Sequence, residues 1–105
     1  MPRHPRLRRS RRAREREHAS LVRDLDRLWT LAPGGTAERP IAIESPAQVE
    51  PIAAATPCPL CGDGLTLESH DARVAAGERL RVARLRCPTC GVRRALHFRL
   101  GAPLQ

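Results

Sequence analysis

The chain has 105 residues, of which only 22 are Leu, Ile, Val or Phe and two, Trp29 and Phe98, are aromatic, so a large hydrophobic core and most enzyme folds are excluded. No run approaches 18 consecutive apolar residues, which excludes a membrane-spanning helix. The formal net charge is +8, carried by 19 basic residues that are all Arg, and it favours polyanionic partners.

Lys, Asn and Tyr are absent, and all three have AT-rich codons, so GC-rich coding contributes to the Arg bias. The distribution of charge is more informative than its total. Residues 1–16 hold eight Arg against Glu15 alone, residues 17–57 are net acidic, and residues 58–105 hold eight Arg against four acids. Residues 1–12 read as a basic, disordered tail. Arg3, Arg6, Arg8, Arg9, Arg11, Arg12, Arg14 and Arg16 are the candidate contacts to nucleic acid. The cationic start is followed by no apolar run and no small-residue cleavage site, so it does not read as a secretory signal, and the expected location is the cytoplasm.

Residues 13–31 are expected to form one amphipathic helix. Leu21, Val22, Leu25, Leu28 and Trp29 recur at three- and four-residue spacing and make one apolar stripe. Ser10 would cap an early start and Ser20 a later one, and Pro33-Gly34-Gly35 ends the helix. A helix of this length is marginal alone in water, so the stripe needs a surface to cover it. Two surfaces fit: this chain's own small domain, or another protein.

Residues 32–56 read as a disordered linker, with Pro33, Pro40, Pro46 and Pro51 spread along it and no sustained period. Ile41-Ala42-Ile43 is its one short apolar alternation and is taken as part of the tether, with a binding motif or an added strand as the alternatives.

From residue 57 the pattern changes to period two. Leu65–Ser69, Leu80–Arg86 and Leu96–Leu100 alternate as strands, with a turn at Ala75–Glu78, and residues 102–105 are a short tail. The four cysteines stand as Cys58-Pro59-Leu60-Cys61-Gly62 and Cys87-Pro88-Thr89-Cys90-Gly91, with 25 residues between Cys61 and Cys87. In each turn Pro fixes φ after the first Cys and Gly permits the positive φ that lets backbone N–H groups face the sulfurs. Two such turns at neighbouring strand ends complete a tetrahedral four-sulfur site, which suits Zn²⁺ and also iron. Disulfides would need an oxidising compartment, and a thioredoxin-like redox pair would need a βαβ pattern.

Residues 58–100 resemble a zinc ribbon, a three-stranded antiparallel sheet carrying two zinc knuckles, of a kind found in transcription factors, RNA polymerase subunits, ribosomal proteins and many small bacterial proteins. The resemblance implies that Cys58, Cys61, Cys87 and Cys90 hold one Zn²⁺ per chain. Rubredoxin has similar knuckles but surrounds its iron with aromatic residues, whereas Phe98 is the only aromatic residue here. Ribbons of transcription elongation factors carry an acidic pair at a hairpin tip; this tip offers only Glu78. The expected fold is therefore a small metal-stabilised β unit over residues 57–101: a three-stranded antiparallel zinc ribbon preceded by a single amphipathic helix and a disordered linker.

His70 reads as a turn residue and His97 as a solvent-facing strand residue. Arg84, Arg86, Arg93, Arg94 and Arg99 gather near the second knuckle, either as a phosphate-contacting face or as a solvated surface. No Ser/His/Asp set, carboxylate pair or phosphate-cradling Gly loop is present, so no enzyme or small-molecule substrate is expected. The leading reading is an accessory protein that binds nucleic acid, or a nucleic-acid machine such as the ribosome or transcription apparatus, through the Arg-rich tail. The alternative is a protein–protein adaptor docking through the helix stripe and ribbon face, with electron transfer by an iron-loaded ribbon as a third.

Overall fold

The computed structural model describes residues 5–101; Arg3 and the tail at 102–105 lie outside the described residues. Helix α1 (Pro5–Leu31) is followed by strand β1 (Ile41–Ile43), a 3₁₀ turn (Pro46–Gln48), helix α2 (Val49–Ala55) and strands β2 (Thr66–Ala75), β3 (Glu78–Arg86) and β4 (Arg93–Leu100).

The three period-two segments form an antiparallel meander, as the alternation predicts. The sheet has a fourth strand, however, in the order β1-β4-β3-β2, with β1 parallel to β4. The expected three-stranded antiparallel sheet is thus a four-stranded mixed one. The β2–β3 hairpin closes on Ala76 and Gly77, both at positive φ, the two-residue turn whose twist matches its strands. Strand β2 continues through His70, so that residue is not in a turn; it lies opposite Ala83.

Residues 32–56 are not a tether. Ile43, Val49 and Ala53 from this stretch are buried in the same core as Leu65, Ala83, Leu85, Leu96 and Phe98. The sequence signal was weak because each element is three to seven residues long, too short for a period to show. One local signal was present. Ser45-Pro46-Ala47-Gln48 is a capping box, in which the Ser45 hydroxyl accepts from the Ala47 N–H and the Gln48 side chain accepts from the backbone N–H of Ser45.

Helix α1 begins at Pro5 rather than at residue 13, so the stretch 5–12 expected to be disordered is helical. Arg is a good helix former, and a helix already stabilised at its C-terminal end propagates at little cost. The C-terminal end is where α1 is anchored. Trp29 packs on the core, and Asp26 pairs with Arg94 of β4. Gly34 then turns the chain toward β1 at φ +82°, where a Cβ would lie 2.7 Å from the Ile41 Cδ1 atom, so only glycine fits. Its carbonyl accepts from the His97 N–H at 2.8 Å, continuing the edge that β1 makes with β4.

Candidate metal centre

The two CPxCG turns are copies of one another in hydrogen bonding. The Cys58 and Cys87 carbonyls accept from the N–H groups of Gly62 and Gly91 at 2.9 and 2.8 Å, and both glycines lie near φ +80°. The Cys58 and Cys87 N–H groups donate to the carbonyls of Asp63 and Val92. Backbone N–H groups also point at sulfur: Leu60 donates to Cys58 Sγ and Cys90 to Cys87 Sγ, each at 3.4 Å. Leu60 and Val92, one from each turn, pack on the hydrophobic core and fix the turns to it.

The turns face each other so that all four Sγ atoms lie within 4.8 Å of one another. The cross-turn approaches are 3.6 Å for Cys58–Cys90 and 3.4 Å for Cys61–Cys87. These are far beyond a disulfide bond of about 2.05 Å, and all four cysteines are free. They are close to the edge of a tetrahedron, about 3.8 Å for a metal–sulfur bond of about 2.3 Å. Cys58 and Cys87 are buried, whereas Cys61 and Cys90 are exposed. Four cysteines from two loops are thus positioned to hold one metal ion, with one anchoring ligand of each turn in the core.

The electrostatics of the sulfurs point the same way. Backbone N–H donation from Cys90 draws the Cys87 thiol down to about 6, against the desolvation that opposes it. Cys58 is lowered as well: desolvation raises it, but the N–H groups of Cys61 and Leu60 outweigh that cost. Cys61 accepts from the Asp63 N–H, which lowers it, yet the neighbouring Cys87 sulfur and burial together push it up to about 12. Cys90 is likewise raised, with the Val92 N–H opposing desolvation and the Cys58 sulfur. Each cross-turn pair therefore holds one sulfur that ionises readily and one that keeps its proton beside it. A cation at the centre is what allows all four to ionise together.

The other residues singled out in the sequence fall in different places. Arg9, Arg11, Arg12, Arg14 and Arg16 are exposed along α1, and Arg6 and Arg8 lie within the same helix. The apolar stripe divides: Trp29 packs on the core, Val22 and Leu25 are half-buried, and Leu21 and Leu28 are exposed, as is Leu31 beyond them. His97 is half-buried rather than simply facing solvent, with its ring Nδ1 3.1 Å from the Gly34 carbonyl oxygen. His70 is half-buried, and its Nε2 has no hydrogen-bond partner. Among the described residues, no helix is long and apolar enough to cross a membrane.

Comparison with family models, with curated proteins and with solved structures finds no match to this chain.

Proposed function

We propose that this chain is a small, non-enzymatic zinc-ribbon protein of the cytoplasm that binds nucleic acid, or a nucleic-acid machine such as the ribosome or transcription apparatus, through its Arg-rich N-terminal segment. Zinc is favoured at the four-cysteine centre by an all-sulfur, tetrahedrally spaced donor set. Iron of the rubredoxin kind is disfavoured because Phe98 is the only aromatic side chain in this part of the chain. Zn²⁺ would supply folding energy here rather than chemistry, on the order of 10–16 kcal/mol near neutral pH.

The observation that carries the binding proposal is the placement of charge. Arg9, Arg11, Arg12, Arg14 and Arg16 are exposed on the part of α1 that precedes its anchoring residues Asp26 and Trp29, where the acids are Glu15, Glu17 and Asp24, the last of them paired with Arg27. Such an arm presents guanidinium groups to a phosphate backbone and carries no stacking side chains, so its contacts are backbone-directed and weakly sequence-specific.

Salt-dependent binding tests this reading. Each phosphate neutralised releases counterions, and affinity falls with a log–log slope of about −0.9 per contact on duplex DNA. With roughly five Arg engaged, the slope is near −4 to −5. Deleting residues 1–16 should remove most of it. Equal affinity with and without those residues would refute the arm as the binding element.

Exposed Leu21, Leu28 and Leu31 support a second reading, in which α1 docks on a protein partner. That reading expects the partner to be lost when Leu21 and Leu28 are changed to Ser, with nucleic-acid affinity unaltered.

A further inference from the structure

The sheet has one face covered by the helices and a second face that is open and exposed at the end holding Arg84, Arg86 and Arg93, although Leu80 and Val82 further along it are buried. The register decides which Arg lies on which. Ala83, Leu85, Leu96 and Phe98 point into the core, where Trp29, Val49, Ile52 and Ala53 cover them. Arg94 lies directly opposite Leu85 and shares that covered face, held by Asp26. The other face carries Arg84 and Arg86 from β3, Arg93 and Arg99 from β4, and Arg73 from β2. None of the apolar residues that α1 and α2 contribute to the core belongs to this side.

Two features of the open face are unusual. Arg86 and Arg93 are direct cross-strand partners, and like charges directly opposite one another destabilise a sheet unless an anion lies between them. Arg84 is the diagonal neighbour of Arg93, so three guanidinium-bearing residues meet at this end. Here, too, is a cavity of about 490 Å³, lined by Glu68, Ser69, Arg84, Arg93 and Ala95 and also by Leu85 and Arg94. The small side chain of Ala95 leaves space opposite Arg84 that a larger residue would fill.

The acids present do not neutralise this surface. Arg84 reaches Asp71 at 3.9 Å and Arg93 reaches Glu68 at 3.3 Å, both as exposed pairs of little energetic worth. Arg86 has no acidic partner among the described residues. Glu78 lies at the hairpin tip, about 20 Å along β3 from Arg84 at a strand rise of about 3.3 Å per residue.

We infer that the open sheet face, centred on Arg84, Arg86 and Arg93 around the Ser69–Ala95 basin, is a second contact surface for the phosphodiester backbone of nucleic acid. The inference rests on the nucleic-acid reading above and adds a surface that the arm does not contain. Charge complementarity selects the occupant. The row continues toward exposed Arg73, opposite Leu80 and six residues from Arg86, a distance of about 20 Å along the strand, with half-buried Arg99 on the other side of Leu80. That length suits several successive phosphates rather than one small anion. No aromatic side chain stands on the face, so bases are not stacked and the sugar–phosphate chain is what it grips.

The test uses the full-length, metal-loaded chain and a short random-sequence duplex DNA. Arg84→Glu/Arg93→Glu should make the log–log salt slope shallower by about 2, two contacts at about 0.9 each. Arg27→Glu/Arg79→Glu carries the same charge change off this face and should leave the slope within about half a contact of the parent. Because the charge reversals can disturb the fold, the unaltered chain is also followed by NMR of its Arg Nε–Hε groups during the titration. Signals of Arg84, Arg86 and Arg93 should move, while that of Arg81, opposite Phe98 on the covered face, should not. A parental slope in Arg84→Glu/Arg93→Glu with unmoved Arg84, Arg86 and Arg93 signals would overturn the inference and leave the arm standing. Saturation of the same signals by millimolar inorganic phosphate, with no further change on adding DNA, would also overturn it in favour of a small-anion site. An unaltered chain that binds no duplex at all would instead remove the nucleic-acid reading on which the inference rests.

Discussion

Asp26 of α1 pairs with Arg94 of β4, 68 positions later, and so ties the helical arm to the strand that leaves the second cysteine turn. The Arg94 side chain is only 17% exposed, so its charge depends on this partner more than the charges of the surface pairs do. Trp29, one turn further along α1, packs on the core and completes the joint.

Asp26→Ala should therefore loosen the arm without unfolding the sheet. The expected cost is on the order of 1 kcal/mol, because Asp26 itself is half exposed and partly screened. A double-mutant cycle with Arg94→Ala, read by chemical denaturation, should return a coupling of about 0.5–1 kcal/mol. Additive single effects would show that the pair contributes no anchoring.

The segment between α1 and the first cysteine turn makes a sharper prediction. Val49 is 0% exposed in the core, so Val49→Asp buries an unpaired charge. It should strip hydrogen-exchange protection from the Gly101 N–H, which donates to the Ile43 carbonyl at 3.0 Å, and lower overall stability by several kcal/mol. A linker that merely tethers would tolerate the change.

Gly34 is the third test. Gly34→Val forces a β-branched residue into φ +82° and drives its Cβ against Ile41 and Leu96. A loss of about 2 kcal/mol or more is expected, together with loss of protection at the His97 N–H, which donates to the Gly34 carbonyl. Unchanged stability would mean that β1 does not depend on this turn.

What could be read from the sequence follows from which physical signals are local. Leu80–Arg86 and Leu96–Leu100 alternate cleanly, and the duplicated CPxCG turns specify their own geometry, so the antiparallel meander and the four-sulfur cluster are legible. The pairing of Ile41–Ile43 with Phe98–Leu100 is not, because a parallel edge contact between segments nearly 60 residues apart leaves no periodic trace. The Arg-rich start of α1 lacks an apolar stripe, so only propensity argued for helix there, and propensity alone is a weak guide. The place of His70 within β2 is not legible either, because the strand runs on past the irregularity at Glu68 to Ala75, and a bulge breaks the alternation that marks a strand. The division of Arg94 from Arg84 and Arg93 needed the register itself.

Loss of one sulfur should expose how much the small core contributes. Cys87 is 0% exposed and belongs to the core as well as to the metal centre. Cys87→Ser should collapse the dispersion of the β2, β3 and β4 amides in an NMR spectrum, since a ligand loss removes most of the metal's folding energy. The exposed Arg of α1 should keep most of their salt-dependent DNA affinity in that variant. A dispersed spectrum retained in strong chelator would show that the hydrophobic core suffices without metal.

The metal centre is the claim on which the account of the fold rests, and native mass spectrometry with elemental analysis of freshly prepared chain tests it most directly. One zinc per chain, lost together with the fold in chelator and absent from Cys87→Ser, is the predicted result. Iron in its place, a metal-free folded chain, or a mass showing oxidised cysteine pairs would contradict it.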